Sequence, residues 1–320
     1  MSTAERPIRI GVSACLMGQA VRWDGGHQHD RFVTDVLGPH VEFVTVCPEV
    51  GSGLGTPRET LRLVGDPDAP RLVFRNSGVE HTGPLEQFAR GELRRLADED
   101  LCGFILKKDS PSCGMERVRV YHESGGSAVR KGVGVFARAL MERFPHLPVE
   151  EDGRLNDPVL RENFLERVFA YRRWRDLLEQ GLTPGRLVAF HTAHKLLMLA
   201  HSPEHYRQLG PLVAKGKTLP RAELRDAYGK LFMEGMARRA SVGRHHNVLQ
   251  HMAGYFRDQI DDAARAELHQ VLEDYRRRLI PLIVPVTLIR HHARAQGQEY
   301  LLGQIYLNPH PKELMLRNHV

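Results

Sequence analysis

Three of the four cysteines in this 320-residue chain stand directly behind short apolar runs of strand-forming residues. Cys15 closes Ile8-Arg9-Ile10-Gly11-Val12-Ser13-Ala14 and Cys47 closes Val41-Glu42-Phe43-Val44-Thr45-Val46. Cys113 lies just past Cys102-Gly103-Phe104-Ile105-Leu106-Lys107-Lys108, inside Ser110-Pro111-Ser112-Cys113-Gly114. Runs of this kind, bounded by Gly, Ser and Pro, read as strands. As parallel strands of one sheet they would share a carboxyl edge, where open α/β sheets bind ligands. Three soft thiolates meeting there can hold three irons of a cubane cluster and leave the fourth open to substrate.

The rest of the first half carries the same alternation. A further strand is expected over 71–75, helices over 27–37 and 84–97, and a helix from Val135 to Phe144. Leu147-Pro148-Val149 reads as one more short strand, after a polar, Gly-rich break from His122 to Gly134. This order argues for a parallel sheet covered by helices. The acidic Glu150-Glu151-Asp152-Gly153 and then Asn156-Asp157-Pro158 suggest a junction, with the proline opening the next helix. Beyond 158 helical stripes recur, broken at Gly181–Pro184, Ser202-Pro203, Leu219-Pro220 and Gly243. The expected architecture is a Rossmann-like α/β domain over 1–150 and an all-helical domain over 151–320.

Charge divides along the same line. Residues 1–150 carry 19 Lys+Arg against 20 Asp+Glu, whereas 151–320 carry 26 against 19 and 12 of the 18 histidines. A neutral chemical domain beside a basic one fits docking on a polyanion; a well-solvated helical surface gives the same count. No apolar run reaches membrane-spanning length, and residues 1–7 lack the pattern of a secretory signal, so the expected location is cytoplasmic. There thiols stay reduced, and four cysteines make no disulfide scaffold. Cys102 begins an apolar run without turn chemistry and reads as core.

Around the thiols stand groups with more than one use. Glu49, two residues past Cys47, fits a general base toward water, and equally a capping carboxylate paired with Arg58. Ser110 can donate to a departing or attacking group, or form a turn before Pro111. Lys107 and Lys108 fit an anionic ligand or a wet rim. Trp23, beside Asp24, offers a ring for stacking on a heterocycle, or a lid on the sheet edge, and Trp23, Asp24 and Arg58 are expected to contact the substrate together with the two lysines. In the second half, His191, His194 and Lys195 share a helix face, and Arg238, Arg239, Arg244 and His245 form a second polar group suited to phosphate. His191 and His194 also have a spacing that metals accept, but no carboxylate accompanies them.

Taken together, Ser13-Ala14-Cys15-Leu16 with Val21-Arg22-Trp23-Asp24-Gly25, Cys47-Pro48-Glu49 with Gly53-Leu54 and Pro57-Arg58, and Ser110-Pro111-Ser112-Cys113-Gly114 resemble the TudS thiouracil desulfidase family over residues 8–150. The second half, through Phe190-His191-Thr192-Ala193-His194-Lys195 and Asn247-Val248-Leu249-Gln250-His251-Met252, resembles the YbgA-type domain. That pairing is found in RudS-type enzymes, which remove sulfur from 4-thiouridine in transfer RNA. The resemblance implies a [4Fe–4S] cluster on Cys15, Cys47 and Cys113, with Glu49 as catalytic acid/base and Ser110 as catalytic serine. Where the family usually has tyrosine, Trp23 stands here. The implied substrate is thiolated transfer RNA, gripped by the helical domain, with no membrane partner. Two other readings use the same residues: a desulfidase of free thiouracil whose helical domain oligomerises, and a nucleic-acid adaptor with a structural metal site that would need Cys102 as fourth ligand.

Overall fold

In the computed structural model, which describes residues 7–124 and 126–320, the chain forms two compact units, Met1–Asp157 and Pro158–Val320. The first holds strands β1 (Arg9–Ser13), β2 (Glu42–Val46), β3 (Leu61–Val64), β4 (Arg71–Phe74), β5 (Leu101–Leu106), β6 (Val118–Tyr121), β7 (Val129–Gly132) and β8 (Val149–Glu151). Its helices are α1 (Pro48–Gly51), α2 (Thr82–Ala97) and α3 (Val135–Arg143).

Four strands make a parallel sheet in the order β2-β1-β5-β8. Ile10, Val12, Phe104, Ile105 and Leu106 are fully buried, so the central strands show a continuous apolar run, as a sheet covered on both faces requires. Gly11 is needed for this packing, because a Cβ there would come within 2.2 Å of the Phe104 ring. The chain runs from β1 outward to β2 and then returns to β1's other side at β5. Winding reverses at that point, and ligands collect at the carboxyl ends beside it.

The other four strands form a second, mixed sheet in the order β4-β3-β6-β7. The expected strand at 71–75 is therefore β4, paired antiparallel with β3 and not part of the parallel sheet. The break from His122 to Gly134 contains β7, which pairs antiparallel with β6. The expected helix over 27–37 is one short π-helical stretch, Phe32–Leu37. The last strand is β8, two residues later than expected, so Glu150 and Glu151 lie in the sheet and the boundary at 150/151 would cut it; the units divide at Asp157/Pro158.

The second unit consists of α4 (Pro158–Glu179), α5 (Pro184–His201), α6 (Pro203–Ala214), α7 (Arg221–Met236), α8 (Val242–Ala253), α9 (Asp262–Arg276), α10 (Ile283–Ala295) and α11 (Glu299–Leu302). Thr183, Ser202, Ser241 and Asp261 each accept an N–H of the first turn that follows, fixing the starts of α5, α6, α8 and α9. Gly243 falls inside α8, because the Ser241 cap sets the start two residues earlier. Trp174, Tyr228, Phe232, Met236 and Leu249 lie at the centre of one apolar core. Among the described residues no helix is long and apolar enough to cross a membrane.

Candidate active site

Three of the four strands of the parallel sheet lead to site residues at the same edge. β1 ends in a short turn of 3-10 helix carrying Cys15, β2 runs straight into Cys47, and β5 leads into the loop that holds Ser110, Ser112 and Cys113. The three thiols line one cavity of about 370 Å³ together with Trp23, Glu49, Arg58, Lys107, Lys108, Ser110 and Ser112. Burial pushes the Cys15 thiol up to about 11 and also raises Cys47 and Cys113. The neighbouring thiols add to the rise at Cys15 and Cys113, because ionised neighbours would repel. Left alone, such thiols stay protonated; a coordinated metal is what ionises them.

Among the described residues no three His, Cys, Asp or Glu side chains are disposed to share a single metal ion. A cubane makes no such demand, since each thiolate takes a different iron and the donors must ring a cavity rather than meet at a point. Three soft sulfur donors around one cavity fit that requirement. Cys102 is fully buried on β5, four residues before the strand's end, or about 13 Å at the strand rise. It cannot join the other three as a fourth ligand.

Glu49 and Arg58 are paired, with Oε2 2.6 Å from Nη2 and 3.1 Å from Nε. The rest of the Arg58 guanidinium is spent on the carbonyls of Val21 and Gly55 and the Thr56 hydroxyl. Arg58 thus holds the carboxylate and keeps no donor for a substrate, which corrects its expected role. The other oxygen, Oε1, accepts from Ser112 Oγ at 2.8 Å. Ser112 Oγ lies 2.9 Å from Ser110 Oγ, and Ser110 Oγ in turn accepts from the N–H groups of Ser112 and Cys113. Carboxylate and two hydroxyls make one continuous line beside the thiols. The sequence assigns Ser112 no role, because two serines flank Pro111 and nothing in the motif tells which hydroxyl faces Glu49.

Two further assignments change. Lys107 is bound to Asp152, Nζ to Oδ2 at 2.7 Å, and the Lys108 N–H donates to the same carboxylate. Lys107 therefore fastens the cysteine loop and is not free for an anion. Asp24 is exposed, accepts the Gly26 N–H in its own turn and does not line the cavity. Trp23 stands at the cavity mouth, 45% exposed, its carbonyl fixed by the Arg58 N–H at 2.8 Å. The acidic run read as a junction is a clamp: Glu151 accepts the Met115 N–H and Asp152 holds Lys107 and Lys108.

In the helical unit the expected RNA contacts separate into outward and inward groups. His194 and His245 are buried, bonded to the Phe190 carbonyl and the Tyr306 hydroxyl, and cannot meet a macromolecule. Arg244 is half-buried and donates to the carbonyls of His201 and Arg239. His191 and Lys195 lie half-buried on the outer side of α5, and Arg238 and Arg239 are exposed after α7.

Residues 10–152 match the family described as 2-thiouracil desulfurase, and residues 195–311 match a family described as a protein of unknown function, DUF1722. The Escherichia coli (strain K12) protein YbgA is 35% identical over 158 residues, 49% of this chain and 94% of that protein. Bacillus subtilis (strain 168) YbbK is 29% identical over 153 residues, 46% of this chain and 98% of that protein. Among solved structures, the [4Fe-4S]-dependent thiouracil desulfidase TudS is 30% identical, covering 47% of this chain and 94% of its own, with a TM-score of 0.39.

Proposed function

Because the chain belongs to the family that joins a thiouracil desulfurase domain to a YbgA-type domain, we propose that it removes sulfur from 4-thiouridine in transfer RNA. The net change is thiocarbonyl plus water to carbonyl plus hydrogen sulfide, with no change of oxidation state. The observation that carries this reading is the line from Glu49 through Ser112 to Ser110 beside three thiols in one cavity.

Cys15, Cys47 and Cys113 would hold a [4Fe–4S] cluster, which when bound supplies a Lewis acid for the thiocarbonyl sulfur. The protein's own groups do the rest. Glu49, with one oxygen fixed by Arg58, takes the proton of a water directed at C4 of the base. Ser110, anchored by two backbone N–H donors, donates to Ser112 at rest; once Glu49 carries the water's proton the line reverses through Ser112, and Ser110 delivers a proton to the departing sulfur. Trp23 offers its ring face to the pyrimidine at the mouth. A base inside a stack cannot reach this edge, so it must be looped or flipped out, and the basic helical unit would hold the flanking backbone.

The test is an oxygen-free preparation assayed for iron and sulfide, then for loss of 4-thiouridine from transfer RNA. About four irons per chain and one sulfide released per base are expected. Cys113→Ala should lose iron and fall more than about a hundredfold in rate, while Cys102→Ser keeps both. A colourless oxygen-free preparation, or full activity in the Cys113 variant, would overturn the proposal.

A further inference from the structure

Lys195 on α5 is half-buried, and among the described residues it makes no hydrogen bond or ion pair. Its neighbours are rings. His191, one turn earlier, stacks on Tyr206 of α6 with centroids 5.5 Å apart and planes 6° from parallel. His251 of α8 meets Tyr255 edge-on at 5.7 Å, and Tyr255 stacks on Tyr300 of α11 at 5.5 Å. Burial first, and then the Lys195 charge, hold His191 and His251 below the usual imidazole value. The same charge acts on Tyr255, and Tyr300 lies within reach of Tyr206. Helices α5, α6, α8 and α11 and the turn Gly254–Phe256 after α8 thus bring six side chains to one face: one ammonium, two imidazoles and three phenols, without a carboxylate in the set.

Surface lysines usually lay their stem on apolar surface and push the ammonium into water or toward an acid. Here the half-buried lysine stands beside rings and other basic groups, with no acid in the set to take its charge. A phosphate would take it. The rings beside it are only partly covered and lie in stacked pairs, a surface matched to planar bases rather than to a regular duplex groove.

We propose that the face formed by His191, Lys195, Tyr206, His251, Tyr255 and Tyr300 grips unpaired nucleotides of RNA, with Lys195 on a phosphate and the tyrosine rings against bases. The proposal rests on the reading of the substrate as an RNA and adds where and how the helical unit holds it. None of the buried residues His194 and His245 takes part.

The test uses the full chain and three ligands: an unmodified single-stranded RNA of mixed sequence, a blunt RNA duplex, and free 4-thiouracil as substrate. Binding of the single strand about tenfold tighter than the duplex is expected. Tyr255→Ala should weaken single-strand binding about tenfold or more. Lys195→Gln should weaken it severalfold and reduce the slope of log affinity against log salt by about one. Circular dichroism checks that both variants keep their helices. If the wild type binds RNA but both variants bind equally well, this face is wrong and the RNA reading stands. Equal affinity for duplex and single strand would overturn the stacking role. A wild type that desulfurises free 4-thiouracil yet binds neither RNA overturns the face and the RNA substrate together.

Discussion

Ser112 has a single hydroxyl proton, and an ionised Glu49 can only accept it. The Ser110 proton must then point to Ser112, because Ser110 Oγ already accepts two N–H groups. The line therefore has a direction, from Ser110 to Glu49, and Arg58 fixes its far end. Ser112→Ala removes the middle and leaves Cys113 in place. The expected result is a fall in kcat of roughly 10- to 100-fold with KM and iron content unchanged. Iron lost in step with activity would mean that Ser112 merely holds the loop, and an undiminished kcat would mean that the line is idle. The motif Ser110-Pro111-Ser112-Cys113 made one serine visible and concealed the other, since the partner that gives Ser112 its role lies 63 residues away.

At the level of elements, strand β8 and helix α3 set the cysteine loop. The first N–H groups of α3 donate to the carbonyls of Pro111 and Ser112, using donors that a helix start leaves unpaired. Gly134, just before α3, permits this approach, for a Cβ there would stand 2.6 Å from the Ser112 carbonyl. Gly134→Ala should cost about 1–3 kcal/mol and push Ser112 out of line, read as a lower thermal midpoint with reduced iron uptake. Gly91→Ala in α2 is the control: open space surrounds it, and it should stabilise by about 0.5–1 kcal/mol. A Gly134 variant as stable and iron-loaded as the wild type would show that the loop yields freely. The thiol-bearing strands were legible because each carries its own apolar run and its own turn. The second sheet was not, because β3 has four residues, β7 is mostly exposed, and β3 joins β6 only through a pairing such as Leu63 with Val120. Charge misled around β8 for the same reason: Met115, which bonds Glu151, and Lys107 and Lys108, which bond Asp152 just past the strand, come from a distant stretch of chain.

For the molecule as a whole, the buried histidines of the helical unit tie stability to pH. Burial, followed by the charge of Arg173, holds His194 down to about 3, and burial with Arg317 does the same to His245. Unfolded, each takes a proton near 6.5. Between those values the unfolded chain binds more protons than the folded one, so stability is complete above pH 6.5 and declines as pH falls toward 3. From pH 7 to 5 the loss is roughly 2 kcal/mol for each histidine. Glu166 lies in the same core, and its carboxyl is held low because Arg317 and His201 outweigh the burial that would raise it. Its contribution is present above about 4.5 and is lost only in more acid solution, so the window from 7 to 5 belongs to the imidazoles. Trp174 sits in this core and Trp23 in the other unit, so a Trp23→Phe background makes fluorescence report the helical unit alone. Urea midpoints in that background should drop on going from pH 7 to 5, and His194→Gln should remove its own share of about 2 kcal/mol, the rest coming from His245 and the other imidazoles held low, His191, His251 and His310. Comparing the two slopes cancels the repulsion that every exposed histidine adds as it charges. A midpoint equal at both pH values would mean that water reaches these imidazoles in the folded state and protonates them there.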